Sequence, residues 1–148
     1  MQLTAHFTLE EFCHSQTADR LGLNNQPDAL TVQHLMTTAH GLEQVRTLTQ
    51  SPVVISSGFR APLVNRACGG APSSQHLTGH ASDITAPGFG TPRKLMEAIY
   101  KAKIPYDQLI LEYASLLDPS RGWVHISFGE RNRRQALVID HAGTREYA

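Results

Sequence analysis

Three side chains in the second half of the sequence are of the types that bind zinc: His76, Asp83 and His125. His76 and Asp83 stand seven residues apart across a glycine, in the segment SSQHLTGHASD. Neutral imidazole nitrogens and carboxylate oxygens are good Zn²⁺ ligands, and a catalytic zinc takes three protein ligands and leaves a fourth position to water. With His125 the sequence can supply such a set. The residues alone also allow a plainer interpretation, in which all three are ordinary polar groups of a loop and a strand.

The chain has eight histidines, and His80 is the nearest competitor for a place in a metal site. It follows His76 by four residues, which is the spacing of a helical metal pair, but Gly79 and the small residues nearby disfavour a helix there. The remaining five have no ligand spacing to one another: His6, His14, His34, His40 and His141. We therefore expect these six histidines to lie outside the metal site.

Helices that could position the site are predicted from capping residues and from apolar periodicity. Thr8 and Glu11 form a capping box that begins a short helix. Apolar residues at spacings of three and four predict a long helix from Asp28 to about Gln50. Thr91 as N-cap and Pro92 at the first helical position predict a third helix.

Short runs bounded by proline, glycine or turn residues predict four strands, the last two of which form a hairpin. These strands are 53–57, 81–85, 108–113 and 123–128. His125 lies on the strand face opposite the apolar set, so its ring is available to a site. Residues 61–80 are expected to be a long structured loop that carries site residues. Together the elements predict an α+β fold with helices packed on a small antiparallel or mixed sheet.

Length and charge exclude several functional classes. The 148 residues fit a single domain, which we place at 1–148. Thirteen basic and thirteen acidic side chains give a net charge of zero, so no nucleic-acid partner is expected. No apolar run approaches the roughly 20 residues of a membrane helix, and the first residues do not have the pattern of a secretory signal. We expect a monomer that is made in the cytosol and does not insert into membranes.

Nucleophilic hydrolase mechanisms find no support in the sequence. Cys13 and Cys68 are the only cysteines, and neither lies in a motif of a Cys-His hydrolase. A serine D,D-peptidase would need a Ser-x-x-Lys motif, which none of the three lysines provides.

Several short motifs follow one another between about residues 26 and 128. They are Ser57-Gly58-Phe59-Arg60, Asn65, Gly69-Gly70, the Ser-x-His-x-x-Gly-x-Ala-x-Asp run of 74–83, and Trp123-Val124-His125. In this order they resemble the zinc D-alanyl-D-alanine carboxypeptidase family. That family includes vancomycin-resistance D,D-peptidases and phage L-alanoyl-D-glutamate endolysins, and it is related in fold to the hedgehog signalling domain. The resemblance implies one zinc ion per chain, with His76, Asp83 and His125 as ligands.

The same resemblance implies a reaction and a substrate. The chain would be a zinc metallopeptidase that hydrolyses the peptide stem of bacterial peptidoglycan, as a D,D-carboxypeptidase or an endopeptidase, by zinc-activated water. Arg60 would bind substrate or stabilise the oxyanion, and its position at a strand end near the cleft suits that role. Ser74 and Gln75 are further candidates for hydrogen bonds to substrate. By analogy with endolysins, we expect action on the cell wall after release by phage lysis machinery.

The general base is the one role that the resemblance does not assign directly. Many relatives carry an acidic residue three positions before the last zinc ligand, where this chain has Gly122. We predict Glu112, because DQLILE followed by a turn and WVHIS resembles one branch of the family and places Glu112 on the neighbouring hairpin strand. Asp118 and then Asp107 are the alternatives. The departure at Gly122 also keeps open a catalytically inactive zinc-binding interaction module of the same fold.

Overall fold

A computed structural model describes all 148 residues as five α-helices, one 3₁₀ turn and six strands. The helices are α1 (Leu9–Cys13), α2 (Gln16–Leu21), α3 (Ala29–Thr49), α4 (Pro62–Ala67) and α5 (Pro92–Ala102), and the 3₁₀ turn is Gln75–Thr78. The strands are β1 (Val54–Ser57), β2 (Ala81–Thr85), β3 (Gln108–Glu112), β4 (Trp123–Ser127), β5 (Gln135–Asp140) and β6 (Gly143–Glu146). The predicted α+β class is confirmed.

All six strands form one mixed sheet in the order β1-β2-β4-β3-β5-β6. Every neighbouring pair is antiparallel except β3 and β5, which run parallel. The predicted hairpin is β3–β4, and β4 also pairs with β2, so that Asp83 lies directly opposite His125 in the ladder. The two strands that carry these ligands, the second and third of the sheet, therefore hold them in a fixed register.

The three predicted helices begin where their caps indicate. Thr8 accepts a hydrogen bond from the backbone N–H of Glu11, whose carboxylate accepts in return from Thr8 N at 2.7 Å. Asp28 caps α3 by accepting from Thr31 N at 2.8 Å, and Thr91 caps α5. The buried faces of α3 and α5 pack with the sheet into the main core, whose largest fully buried side chains include Leu35, Leu42, Leu95, Met96, Leu109, Leu111 and Ile126.

Gly41 lies in the middle of α3 and faces the ring of Phe128. A Cβ built at this glycine would overlap with the ring atoms. The helix continues through Gly41, as its apolar pattern predicts. The cost of a mid-helix glycine, about 1 kcal/mol relative to alanine, is offset by the close approach of Phe128 to the backbone.

The expectation of a continuous loop over 61–80 is wrong in part. Pro62, at a helix N-terminus where its missing N–H costs nothing, begins α4, and Ser74 caps the 3₁₀ turn. Helix α2 and the strands β5 and β6 are additional elements that were not predicted from the sequence. None of the helices combines the length and the apolar character needed to cross a membrane.

Candidate metal and active site

The three predicted zinc ligands converge at one point on the sheet. Their ligand atoms all lie within 4.8 Å of one another. Asp83 Oδ1 lies 3.1 Å from His125 Nδ1 and 3.3 Å from His76 Nε2. Each of the three residues is at most 9% exposed. Asp83 and His125 come from neighbouring strands, and His76 reaches them from the 3₁₀ turn that precedes β2.

The far side of the His76 ring is fixed by the backbone. Its Nδ1 lies 2.7 Å from the carbonyl oxygen of Gly58, and because a carbonyl oxygen only accepts, Nδ1 carries the proton. The lone pair is then on Nε2, which faces Asp83. Metal-binding histidines characteristically donate their second ring N–H in this way, which fixes the tautomer and raises the basicity of the ligand nitrogen. The donor set therefore fits zinc in its chemistry, and His76 presents Nε2 in the tautomer that binds a metal.

Asp83 is held in the ionised form that metal binding requires. Burial opposes ionisation, but the two neighbouring imidazoles, His125 first and then His76, outweigh it and hold the pKa of Asp83 well below its usual range. Its second oxygen, Oδ2, lies 3.4 Å from Nη2 of Arg60. Asp83 is thus a buried carboxylate with one oxygen turned to the two imidazoles and the other to a guanidinium.

Arg60 is fixed at the edge of the site by three partners. Besides Asp83, its Nε donates to Ser57 Oγ at 3.1 Å and its Nη1 to Asn65 Oδ1 at 3.3 Å. Asn65 is buried and donates in turn to the carbonyl of Ala71 at 3.0 Å. A Cβ at Gly70 would overlap with the Asn65 side chain. The motif residues Asn65 and Gly70, for which the sequence suggested no role, therefore hold the guanidinium in place.

Of the three candidate bases, only Glu112 lies at the metal triad. Its Oε1 is 3.8 Å from His125 Nδ1, and it pairs with Trp123 across the hairpin. Burial, followed by repulsion from Asp83, raises the pKa of Glu112. Asp118 lies in the exposed hairpin loop, where Ser120 donates to it at 2.6 Å. The geometry thus brings Glu112 to the triad and leaves Asp118 outside it.

Asp107 is fully buried and already has its partners. Its carboxylate accepts from Nε and Nη2 of Arg133, each at 2.9 Å, from the backbone N–H of Arg133 at 2.8 Å, and from Gln75 Nε2 at 2.9 Å. The paired Arg133, more than the opposing effect of burial, lowers the pKa of Asp107 to about 2. These contacts tie the start of β3 to the segment before β5 and to the residue next to His76. Asp107 therefore stabilises the segments around the metal triad through Gln75 and Arg133.

Ser74 and Gln75 both line the cleft and both have structural partners. Ser74 Oγ accepts from the backbone N–H of His76 at 3.2 Å, which orders the 3₁₀ turn, and Gln75 is turned toward Asp107. Their contact with substrate stays a prediction. His80 lies outside the triad, stacked on His34 with ring centroids 4.1 Å apart.

A cleft of about 520 Å³ surrounds the triad. Besides the predicted site residues, it is lined by Gln108 and Ile110 from β3 and by Arg131 and Arg133 from the segment before β5. Gln108 and Ile110 alternate with buried Leu109 on the predicted strand, so the period-two pattern could have identified them. The two arginines had no such signal, because β5 was not predicted.

A buried His-Asp-His set beside a carboxylate and a fixed arginine, on an α+β sheet, defines a candidate metallopeptidase site. The family model described as Peptidase M15 matches residues 5–127. The chain therefore belongs to the peptidase M15 family, whose members are zinc-dependent peptidases, and the resemblance found in the motifs is confirmed. No curated protein matches the chain.

Proposed function

We propose that this protein is a zinc peptidase that hydrolyses the peptide stem of bacterial peptidoglycan. The observation that carries the proposal is the convergence of His76, Asp83 and His125 beside the buried carboxylate of Glu112 and the fixed guanidinium of Arg60. Membership of the M15 family supports a peptide substrate. The resemblance of the motifs to D-alanyl-D-alanine carboxypeptidases and phage endolysins supports peptidoglycan as its source.

In this proposal zinc would be held by His76, Asp83 and His125, with Nε2 as the ligand atom of His76. When bound, zinc lowers the pKa of its water toward about 7 and polarises the scissile carbonyl. The chain contributes ligands that are already aligned, because Gly58 fixes the His76 tautomer and the two strands fix the other two side chains. Little ordering is then required when the ion binds.

Glu112 and Arg60 supply the remaining chemistry. Glu112 accepts a proton from the attacking water and returns it to the leaving nitrogen, and its raised pKa makes it a stronger base than an ordinary glutamate. The pairing with Asp83 compensates the charge of Arg60 but leaves two of its five N–H groups free, and these donate to the carbonyl oxygen as it becomes negative. Because the guanidinium is already fixed, little reorganisation is needed during the reaction.

Metal analysis tests the ligand assignment. Purified protein is expected to contain one zinc per chain, and His76→Ala and His125→Ala are each expected to lose it. His40→Ala is the matched control, because His40 is exposed on α3 and lies outside the triad. Unchanged zinc content in both ligand variants would refute the assignment.

Digestion of purified peptidoglycan, with the fragments weighed by mass spectrometry, tests the activity. Glu112→Gln is expected to retain zinc and lose roughly 10²–10⁴-fold in rate, the usual contribution of a general base. Asp118→Asn is the matched control and is expected to keep the rate. A zinc-loaded protein that releases no fragments would instead be the inactive module considered above.

The place of action is proposed from the same resemblance. An endolysin would reach the wall from inside after release by phage lysis machinery. Expression of the protein in bacteria with and without a membrane-permeabilising partner, followed by turbidity, tests this. Lysis only with the partner is the expected result, and wall damage without it would refute the dependence on release.

A further inference from the structure

Two cavities adjoin at Asp83, the residue of the metal triad that lines both. The arginine-side half is the cleft of about 520 Å³ already described, and its outer residues include Ser73, Gln108, Arg131 and Arg133. The helix-side half has a volume of about 510 Å³, and its outer residues include His14, Gln16, Thr17, Ser56 and Cys68. Arg60, Asp83 and Trp123 line both halves. We take these two adjoining cavities as the halves of one groove.

The groove runs across the strands. Gln108 on β3 lies on one side of the ligand-bearing strands β2 and β4, and Ser56 on β1 lies on the other. The outer residues are exposed at both ends, Ser73 and Arg131 on the arginine side and His14 and Cys68 on the helix side. Each half lies within the about 300–1,000 Å³ of pockets that hold a ligand of several groups. An extended peptide can therefore enter at one end and leave at the other.

Removal of a single terminal residue would need a different arrangement. The free carboxylate of such a substrate lies one residue from the cleaved bond, about 3.5 Å of extended chain, and must be matched by an unpaired cation there. Arg60 is the cation beside the triad, and it already faces Asp83, Ser57 and Asn65. No other lysine or arginine lines the helix-side half.

On the arginine side, neither Arg131 nor Arg133 is suited to bind the C-terminal carboxylate of a substrate beside the metal triad. Arg133 forms a two-pronged ion pair with buried Asp107. Arg131 has no acidic partner, but it is exposed in the segment before β5, where water and salt screen its charge. The charges of the groove thus suit a chain that continues in both directions.

We propose that the protein is an endopeptidase, which binds residues of the stem peptide on both sides of the cleaved bond. This inference rests on the proposed function. In the reaction, the C–N bond of an internal peptide breaks, the hydroxyl of water bonds to the carbonyl carbon, and the second proton of water goes to the leaving nitrogen. Both products are peptides, and neither terminus of the substrate takes part.

Stem peptides with a free or an amidated C-terminal carboxylate test the proposal in the zinc-loaded protein. We expect cleavage at an internal bond in both, with kcat/KM changed by less than about threefold by amidation. Release of a single C-terminal residue that amidation abolishes would overturn the endopeptidase assignment and leave a peptidoglycan peptidase standing. No cleavage of any stem peptide or of whole peptidoglycan would overturn the proposed function itself.

Blocking each half of the groove provides a second test. Cys68 is exposed, whereas Cys13 is partly buried, which raises the pKa of its thiol to about 11, so a bulky maleimide at pH 7 reacts at Cys68. In the double variant Cys68→Ser/Ser73→Cys the maleimide reacts at position 73 instead, and the adduct blocks the arginine-side half. We expect each adduct to lower kcat/KM at least tenfold against the unreacted form of the same variant, with zinc content unchanged.

Cys68→Ser is the reagent control, and treatment with maleimide is expected to leave its rate as it was before treatment. If one of the two adducts leaves kcat/KM unchanged, the substrate occupies only one half of the groove. That result would overturn the proposal.

Discussion

Substitution of Asp107 by asparagine isolates the buried ion pair behind the site. The pKa of Asp107 is about 2, against about 3.9 for a free aspartate. At about 1.4 kcal/mol for each tenfold change in proton affinity, ionisation of this side chain contributes about 2–3 kcal/mol to the free energy of unfolding at pH 7. Asparagine keeps the size of the side chain and removes the charge that Arg133 binds. For a chain of this length the loss corresponds to a fall in Tm of roughly 5–10 °C.

The sign of the pH dependence distinguishes this origin from a simple packing defect. Because the folded-state pKa is lowered, the contribution is complete above about pH 5 and is lost as the pH falls toward 2. Roughly half of it is gone by pH 3. The difference between wild type and Asp107→Asn is therefore expected to shrink by about half between pH 7 and pH 3.

Urea unfolding followed by the fluorescence of Trp123, the single tryptophan, measures this difference at each pH. Circular dichroism provides an independent signal for the same transition. Equal stabilities at pH 7, or a difference that stays constant down to pH 3, would refute the argument.

Three further predictions follow from close contacts and from charge. Gly41→Ala is expected to lower the free energy of unfolding by about 1–3 kcal/mol through overlap with the neighbouring ring, whereas Gln44→Ala, exposed on the same helix, changes it little; equal effects in denaturant titrations would contradict this. Gly70→Ala is expected to displace Asn65, which holds the Arg60 guanidinium, and to lower kcat/KM by roughly 10²-fold with zinc content intact. An unchanged rate would show that this positioning of Arg60 is not needed. Because Glu112 must be ionised to accept a proton and burial opposes its ionisation by raising its pKa, kcat/KM of the zinc-loaded wild type is expected to fall on the acid side through an ionisation that the zinc-loaded Glu112→Gln variant lacks. An acid limb that persists unchanged in that variant would exclude Glu112 as the base.

The parts of the site that local patterns determine could be predicted from the sequence. Strand alternation places His125 on the face opposite Val124 and Ile126, and the structure has those two fully buried and His125 in the triad. The capping residues of α1 and α3 are equally local, because a cap and its backbone partner are three residues apart. Such features depend on neighbouring residues alone.

Features that depend on pairing between distant residues could not be predicted. Asp107 and Arg133 are 26 residues apart, and nothing near either residue indicates the other. Strand β6 is exposed at every position and has no apolar pattern of its own. Strand β5 contains the apolar run 136–139, which could have indicated a strand, but nothing local indicates its parallel pairing with β3, from which β4 separates it in the sequence. The prediction of a continuous loop over 61–80 fails for a local reason instead. Glycine and proline favour loops, but proline is also favoured at the start of a helix, and Pro62 begins α4.

The parallel pairing of β5 with β3 also affects whether copies of the chain can associate by strand pairing. Without β5, the Leu109-Ile110-Leu111 segment of β3 would present an unpaired row of N–H and C=O groups, a template for intermolecular strand pairing. The strands that cover this edge, β5 and β6, follow the segment that matches the family model. The new edge, β6, has four residues and carries Arg145, which pairs with Asp140 at 2.8 Å. A short, charged edge disfavours aggregation. By covering β3, which bears Glu112, the strands β5 and β6 therefore prevent it from pairing with a strand of another copy of the chain.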